Sequence, residues 1–365
     1  MEKKADNDFV PLKYNLEEIY DNSQGQVENE HLPKYLLLQR RFEEIYGEKP
    51  DYYARAPGRV NLIGEHIDYN GYPVLPAALE QDMIIAFKET PGKLVIEVHN
   101  FVENLYRHLK FPVTKELKLV DTPEDKWINY FLAAFQHIVK KLSPTLDRGF
   151  QTLIYSSVPV ESGLSSSAAF SVASTLVPLM VYGFREKYTR TEMIPNIVEY
   201  ERSIGVACGG MDQTISLFAE SGTARFVEFS PIRTQPVKLP TKATLVIANS
   251  LASAPKLLTV GTGYNKRVVE CRIGLVLLCQ AAGICKTPEE RKVANLQELQ
   301  TALKFSFDQM LELVDKHIKK SAYTEDDIKA ALGCPLINIV KDIPNHTAVL
   351  SNNLEYFVHK YHALS

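Results

Sequence analysis

Cysteine and tryptophan are scarce in this sequence, with five cysteines and one tryptophan among 365 residues. The cysteines are odd in number and irregularly spaced, at Cys208, Cys271, Cys279, Cys285 and Cys334. This spacing fits neither a disulfide framework nor paired zinc half-sites. It favours a reducing compartment, and we expect a cytoplasmic protein.

Charge of one sign and long hydrophobic runs are also lacking. The formal net charge is −3, with basic residues spread along the chain, which excludes the basic patch typical of a nucleic-acid binder. The most apolar segment, residues 170–184, is shorter than the roughly 20 residues of a membrane helix and contains Ser171, Ser174 and Pro178. We expect a buried helix there. We also expect small-molecule partners, without a nucleic acid, a membrane or an obligate protein partner.

Hydrophobic periodicity predicts a mixture of helices and strands after a polar, solvated tail. Helical spacing runs through residues 31–47, 127–142 and 170–184, then dominates residues 265–283, 295–318 and 324–333. Strand-like runs occupy residues 83–89, 93–100, 149–160, 222–229 and 243–250, and residues 51–66 alternate before a glycine-punctuated turn. We place a soft domain boundary near Pro231.

The P-loop pattern GxxxxGK[ST] and the dinucleotide pattern GxGxxG are both absent. The stretch VPVESGLSSSAAF, residues 158–170, nevertheless lies between a predicted strand and the buried helix. Gly163 permits close backbone approach, the serines offer hydroxyls, and the first amides of a helix lack partners and favour anions. This predicts a phosphate site with a hydroxyl able to ligate magnesium. Simple serine capping of a helix stays equally open.

A second cluster, APGRVNLIGEHIDYNGY, places Arg59, Glu65, His66 and Asp68 within ten positions. Such side chains can hydrogen-bond sugar hydroxyls, and the guanidinium can stabilise a transferred phosphoryl group. A metal site made by Glu65, His66 and Asp68 is an alternative, although adjacent residues on a strand point to opposite faces. A solvated turn is the other.

A third cluster, GVACGGMDQTIS, places Asp212 after two glycines at the start of an apolar helix. The carboxylate is either a helix cap or dipole partner, or a base that orients a substrate hydroxyl. The sequence alone leaves both interpretations open.

In this order and at these separations, the three clusters resemble the first two signatures and the active-site aspartate of the galactokinase branch of the GHMP kinases. The similarity runs from about Lys34 to at least Lys266 and is weaker through the helical tail. The phrases IGEHIDY, GGMDQ, VEFSP and VIANS are closest to the N-acetylgalactosamine kinase and fungal galactokinase type.

The resemblance implies an α+β, two-domain GHMP kinase fold with ligands between the domains. After the tail, residues 1–30, we expect a mixed sheet and helix domain over residues 31–230. Residues 231–365 would form an incomplete, mostly helical part of a ferredoxin-like C-terminal domain.

The resemblance also implies a role for each matching residue. Asp212 would be the catalytic carboxylate and Arg59 its partner near the transferred phosphate. Arg59, Glu65, His66, Asp68, Gly209, Asp212 and Tyr264 would line the sugar pocket. Nucleotide contacts would come from Trp127, Gly163, Leu164, Ser165, Ser166, Ser167, Asn249 and Ser250. Ser167 and Glu201 would hold magnesium.

Two departures from the family pattern affect these expectations. Many relatives have glycine where this chain has Glu161, whose carboxylate would repel ATP if it faced inward. N-acetylgalactosamine kinases also lack that glycine, so we expect an outward-facing side chain. The third signature, of the form LTGAGWGG, is missing, and no glycine follows Gly333. From this truncation we expect reduced stability and an incomplete ATP site.

The implied activity is transfer of the γ-phosphoryl group of ATP, with Mg²⁺, to the anomeric hydroxyl of galactose or N-acetylgalactosamine. A non-catalytic regulator that binds galactose and ATP, similar to fungal galactose sensors, is one alternative. An inactive truncated kinase is another. The intact GLSSSAA argues against a sensor, while the missing signature argues for lost catalysis. A metal-dependent hydrolase is a third possibility.

Overall fold

The computed structural model describes residues 8–20, 25–242, 244–248, 250, 263–351 and 356. The strands are β1 (Tyr52–Asn61), β2 (Pro76–Pro91), β3 (Val95–Asn100), β4 (Leu109–Pro112), β5 (Arg148–Ser156), β6 (Thr223–Glu228) and β7 (Arg233–Lys238). The helices are α1 (Leu32–Tyr46), α2 (Asn129–Leu142), α3 (Ser166–Val181), α4 (Arg190–Ser203), α5 (Met211–Phe218), α6 (Tyr264–Ala281), α7 (Leu296–Leu303), α8 (Phe307–His317), α9 (Glu325–Leu332), α10 (Leu336–Val340) and α11 (His346–Leu350). This is the α+β class that the sequence predicted.

A five-stranded sheet in the order β1-β2-β5-β3-β4 forms the centre of the N-terminal half. Its neighbours are antiparallel except for β3 and β5, which run parallel. Strand β2 is buried on both faces, since Ile85 and Phe87 pack with α2 and α3 while Ile84 and Ala86 pack against α1. The two-residue period of a strand produces this division.

Helix α3 is buried along most of its length, as its composition predicted. The carbonyl of Ser171 accepts two side-chain hydrogen bonds within the core. Thr175 Oγ1 donates to it at 2.9 Å, and the hydroxyl of Tyr200 donates to it at 2.8 Å. Such internal partners let polar groups remain in a core helix. Across the described ranges, no helix combines the length and hydropathy that a bilayer crossing requires.

The helices from α6 onward surround a second hydrophobic cluster that also takes in Ile67, Tyr72 and Met211. The predicted helices over residues 265–283 and 324–333 are confirmed as α6 and α9. Residues 295–318 form two helices, because Lys304 adopts a left-handed conformation that ends α7 and Ser306 caps α8. The segments that carry Ile67, Tyr72 and Met211 therefore join the N-terminal half to this second cluster.

The helix predicted over residues 31–47 is confirmed as α1, and its buried face carries Tyr35, Leu38 and Phe42. Two local predictions, one of a strand and one of a solvated tail, are wrong. The strand predicted over residues 243–250 does not form at its described positions 244–248, whose side chains are exposed.

The N-terminal tail is also not wholly solvated. Tyr20 is buried, stacks on His31 and hydrogen-bonds the carboxylate of Asp82. Val27 packs in the same cluster. Part of the predicted tail therefore belongs to the folded body, because its aromatic and apolar side chains cover the outer face of the sheet.

Candidate active site

The glycine-serine loop connects β5 to α3, as its position between a predicted strand and helix indicated. Gly163 has a φ of 77° and Ser165 a φ of 58°. Ser165 is the N-cap residue of α3, yet its side chain forms no capping hydrogen bond. The simple capping interpretation is therefore wrong for this serine.

Strand β1 is attached to this loop through its backbone. The register of β1 shifts between Pro57 and Arg59, and the amide of Arg59 donates to the carbonyl of Leu164 at 3.1 Å. A Cβ at Gly58 would lie 2.9 Å from the same carbonyl oxygen. Only glycine permits this approach without a shift, so Gly58 fixes Arg59 beside the loop.

Arg59 joins the second cluster to the other two. Its Nε donates to Asp212 Oδ1 at 2.7 Å, and its Nη1 donates to the carbonyl of Gly163 at 2.7 Å. Burial lowers the pKa of Arg59, but the charge of Asp212 outweighs it and holds the pKa above its usual value. The guanidinium is thus a fixed positive charge between the loop and the aspartate.

Asp212 lies in the first turn of α5, whose N-cap is Gly210 with a φ of 111°. Its carboxylate accepts from Arg59, and its Oδ2 accepts from Ser165 Oγ at 2.6 Å. The side chain is 14% exposed. The carboxylate is therefore directed at the glycine-serine loop, and the three sequence clusters meet at one point.

Asp68 and its neighbours form the second side of this point. A 3₁₀ turn, Asp68–Asn70, carries Asp68, which is buried. Burial, followed by the negative charge of Asp212, raises the pKa of Asp68 to about 6. A Cβ at Gly209 would lie 2.5 Å from Asp68 Oδ2. The glycine therefore lets the Asp212 loop pack against the turn.

His66 and Tyr264 complete this side. His66 has a φ of 61°, and its Nδ1 lies 3.0 Å from the hydroxyl of Tyr69. The ring of Tyr264, at the start of α6, is 5.2 Å from the His66 ring and 6.1 Å from the Tyr69 ring. Glu65 is exposed and accepts from Asn61 Nδ2 at 2.9 Å. The surface offers hydrogen-bonding groups and aromatic rings, as a sugar requires.

The alternative metal site does not form. Throughout the part of the chain that the structure describes, no three histidine, cysteine, aspartate or glutamate side chains are arranged to hold a metal ion. Glu65, exposed and paired with Asn61, and Asp68, buried in its turn, do not converge with His66 on a common point.

Glu201 is a buried carboxylate on α4. Its Oε2 accepts from Gln213 Nε2 at 2.9 Å, and burial raises its pKa. Its Oε1 is buried without a hydrogen-bond partner among the described residues. Burial and then the charge of Glu201 raise the pKa of Tyr130, while a side-chain hydrogen bond with Ser167 lowers it. Ser167 and Glu201 therefore both lie near Tyr130. Carboxylate and hydroxyl oxygens suit Mg²⁺, and a cation would displace the proton that burial favours.

A cavity of about 420 Å³ runs beside the loop and brings Trp127 to the serines. Trp127 stacks on Phe170 with ring centroids 6.0 Å apart and contacts Tyr106 edge-on at 5.0 Å. The lining includes Gly163, Ser165, Ser166 and Ser167. Trp127 lies in a 3₁₀ turn before α2 rather than within the predicted helix. Aromatic faces and a glycine-serine loop thus share one cavity.

Glu161 also lines this cavity while its side chain is exposed. Its φ is 57°, in the left-handed region that favours glycine. Asn249 lies outside the described residues. Ser250 is exposed and is not among the described residues that line the cavity.

The sequence patterns did not indicate Gln213, Tyr69 or the direction of Ser165. Gln213 and Tyr69 each lie within a recognised motif, next to Asp212 and Asp68. Their positions next to Asp212 and Asp68 are the sequence signal that could have indicated them.

Two family models match parts of this chain. The galactokinase galactose-binding signature matches residues 40–89, and the GHMP kinases N terminal domain matches residues 129–220. The first range contains Arg59 and Asp68, and the second contains the loop and Asp212.

Several curated galactokinases are similar over most of the chain. The galactokinase of Dictyostelium discoideum is 36% identical over 96% of this chain and 69% of its own length. That of Schizosaccharomyces pombe is 33% identical over 82% of this chain and 59% of its own, and that of Saccharomyces cerevisiae is 30% identical over 89% and 69%. The chain thus spans 59% to 69% of these three relatives.

A solved structure has the same fold. The crystal structure of Lactococcus lactis galactokinase complexed with galactose aligns with 87% of this chain and 75% of its own, with a TM-score of 0.58 and 22% identity.

Proposed function

The chain belongs to the galactokinase family of GHMP kinases, and from that premise we propose that it transfers the γ-phosphoryl group of ATP to the anomeric hydroxyl of galactose. N-acetylgalactosamine is the second candidate acceptor. The observation that carries the proposal is the contact of Asp212 with both Arg59 and Ser165. It unites a candidate base, a phosphate-stabilising cation and a phosphate loop.

The chemistry follows from these positions. Asp212 accepts the proton of the anomeric hydroxyl as its oxygen attacks the γ-phosphorus. The new O–P bond forms while the bond from that phosphorus to the β,γ-bridging oxygen breaks, and ADP leaves. Arg59 stabilises the negative charge on the transferred group. Catalysis of this kind depends mainly on positioning, which the buried hydrogen bonds of Arg59 provide.

We assign the sugar to the side of the site formed by Arg59, Glu65, His66, Asp68, Gly209, Asp212 and Tyr264. Ionised carboxylates accept hydrogen bonds from sugar hydroxyls, and Tyr264 supplies an aromatic face. Relatives named as galactokinases support galactose as the acceptor.

We assign ATP to the cavity beside the loop, with the adenine near Trp127. The phosphates lie along Gly163, Leu164, Ser165, Ser166 and Ser167. The family resemblance alone assigns Asn249 and Ser250 as further nucleotide contacts. The cavity volume of about 420 Å³ falls within the range of ligand pockets. Ser167 and Glu201 are the residues that would hold Mg²⁺, which neutralises phosphate charge when bound.

The division into residues 1–30, 31–230 and 231–365 and a cytoplasmic location also remain proposals. The helices from α6 onward gather around their own hydrophobic cluster, which supports the main division, and Ile67, Tyr72 and Met211 join the N-terminal part to that cluster. All five cysteines lie within the described residues, where none of them forms a disulfide, and this is consistent with the proposed reducing compartment.

Measurement of sugar-dependent ADP release tests the function. The purified chain is assayed with galactose, N-acetylgalactosamine and glucose, beside Asp212→Asn as a matched control. We expect release with one of the galactose-type sugars and its loss in the variant. ATP and galactose binding without release above the variant would instead support a non-catalytic regulator or an inactive kinase.

A further inference from the structure

Ser165 occupies the N-cap position of α3 but differs from an ordinary N-cap residue. N-cap residues usually have an extended backbone that directs the side chain to an amide of the first turn. Ser165 instead has a φ of 58° and caps no amide. The residue is 5% exposed, so its hydroxyl depends on a partner within the protein.

That partner is the carboxylate of Asp212. Ser165 Oγ lies 2.6 Å from Asp212 Oδ2. An ionised carboxylate only accepts, so the hydroxyl is the donor. Hydrogen bonds to charged acceptors are shorter and stronger than neutral ones.

We propose that the side chain of Ser165 is a positioning residue for Asp212 rather than a ligand of the phosphates, an inference that rests on the kinase activity proposed above. Arg59 holds Oδ1 and Ser165 holds Oδ2. Rotation of the carboxylate would break both contacts. The two donors therefore fix the plane in which Asp212 meets the anomeric hydroxyl.

The backbone of Ser165 supports this role. A left-handed φ is unfavourable for serine and easy for glycine. Glycine at this position would relieve that strain but would leave Asp212 Oδ2 without this donor. The main chain of Ser165 remains part of the phosphate loop, while its hydroxyl faces the aspartate.

The neighbouring serines provide matched controls. Ser166 and Ser167 open α3, are half-buried and line the nucleotide cavity. All three serines line the cavity, and Ser165 also donates its hydroxyl to Asp212.

The experiment compares Ser165→Ala, Ser165→Gly, Ser165→Asn and Ser166→Ala. Steady-state kinetics give kcat and both KM values. Binding of a non-hydrolysable ATP analogue is followed by the fluorescence of Trp127, the single tryptophan, which lines the cavity. The glycine variant removes the hydroxyl without backbone strain, and asparagine tolerates a left-handed φ and carries a donor.

We expect S165A and S165G to lower kcat by about 10- to 100-fold, since small misplacements of reacting groups have effects of this size. Their affinity for the ATP analogue should stay within about twofold of wild type. S165N should recover part of kcat, and S166A should chiefly weaken nucleotide binding. Weaker analogue binding with unchanged kcat in S165A, or full activity in S165G, would overturn the proposal.

Failure of the proposed function gives a different result. If the wild-type chain binds ATP and galactose without turnover, the kinase activity is wrong. The positioning role is then measured by galactose affinity, which S165A should lower severalfold while analogue affinity is kept. Unchanged galactose affinity would overturn the positioning role, and a wild-type chain that binds neither ligand would overturn both.

Discussion

Gly209 and Asp68 are packed so closely that a Cβ at Gly209 would lie 2.5 Å from Asp68 Oδ2 and 2.6 Å from the amide nitrogen of Tyr69. The neighbouring atoms belong to a buried turn and to its backbone, and such closely packed atoms cannot easily move to make room for a side chain. The absence of a side chain at Gly209 therefore sets the distance between the sugar side and the Asp212 loop.

Gly209→Ala is expected to separate these two loops. We expect at least a tenfold rise in the KM for galactose, together with a lower kcat because Asp212 follows Gly209 by three positions. Gly58→Ala is the control, because its Cβ would press on Leu164 O in the phosphate loop. It should chiefly raise the KM for ATP. The same effect of both variants on both substrates would contradict this division.

Asp68→Asn is expected to stabilise the protein while weakening sugar binding. The folded pKa of Asp68 is raised from 3.8 to about 6, so burial of its charge opposes folding above pH 6. The corresponding penalty is at most about 3 kcal/mol. This penalty is absent below the pKa that Asp68 has in the unfolded chain, because the carboxyl group is then neutral in both the folded and the unfolded state.

Denaturant unfolding at pH 8 and pH 4 measures this effect. Asp68→Asn should raise the free energy of unfolding by about 1–3 kcal/mol at pH 8 and change it little at pH 4. A variant that is less stable than wild type at pH 8 would show that the ionised carboxylate makes favourable contacts that outweigh its burial.

Arg59→Lys is expected to lower kcat by about 100-fold or more, although the substitution keeps the positive charge. Arg59 donates at once to Asp212 Oδ1 and to the carbonyl of Gly163, and a single ammonium cannot reproduce that planar fork. Binding of the ATP analogue should change much less than kcat. Arg41→Lys on the exposed face of α1 is the control and should leave kcat unchanged. Equal activity of both variants would show that charge alone suffices.

The sequence predicted the glycine-serine loop, Arg59 and Asp212 because each lies in a short motif whose residue types carry the chemistry. It could not predict that Ser165 would turn toward Asp212. The left-handed φ of Ser165 depends on contacts between β1, the loop and α5, which are far apart in sequence. In the same way, Tyr20 looks like part of a polar tail until Asp82 supplies its buried partner.

The strand predicted over residues 243–250 failed for a related reason. Its β-branched residues suit a strand, but β propensity depends on a neighbouring strand and a surface to cover. Within the described residues, no strand pairs with residues 244–248. Helical spacing predicted α1 itself, but tertiary packing selected the face with Tyr35 and Leu38 as the buried one.

Asp82→Asn is expected to destabilise the protein by about 3–5 kcal/mol, because it leaves buried cations without their counter-ion. Asp82 is fully buried and lies 2.9 Å from Lys34 Nζ and 2.7 Å from Arg55 Nε. Glu103→Gln, in the exposed pair with Arg41, is the control and should change the free energy of unfolding by less than about 1 kcal/mol.

The effect of Asp82 should depend on pH with a definite sign. Burial opposes ionisation, but the charges of Arg55 and Lys34 prevail and lower the pKa of Asp82. Its stabilisation is therefore present above the unfolded pKa of about 4 and is lost as pH falls through the folded value. The difference between wild type and Asp82→Asn in denaturant unfolding should shrink below pH 4. A difference that grows there would contradict the assignment.

Glu161 allows backbone strain and charge to be separated at the edge of the nucleotide cavity. Its φ of 57° favours glycine, and Glu161 is among the residues that line the cavity. Glu161→Gln removes the charge and keeps the strain, while Glu161→Gly removes both. We expect both variants to lower the KM for ATP, because an acid near phosphates repels them, with a larger effect at low salt.

Glu161→Gly alone should also raise the free energy of unfolding, by about 1 kcal/mol. A KM for ATP that is unchanged in both variants would show that the carboxylate faces away from the phosphates, which is the orientation expected from the family resemblance.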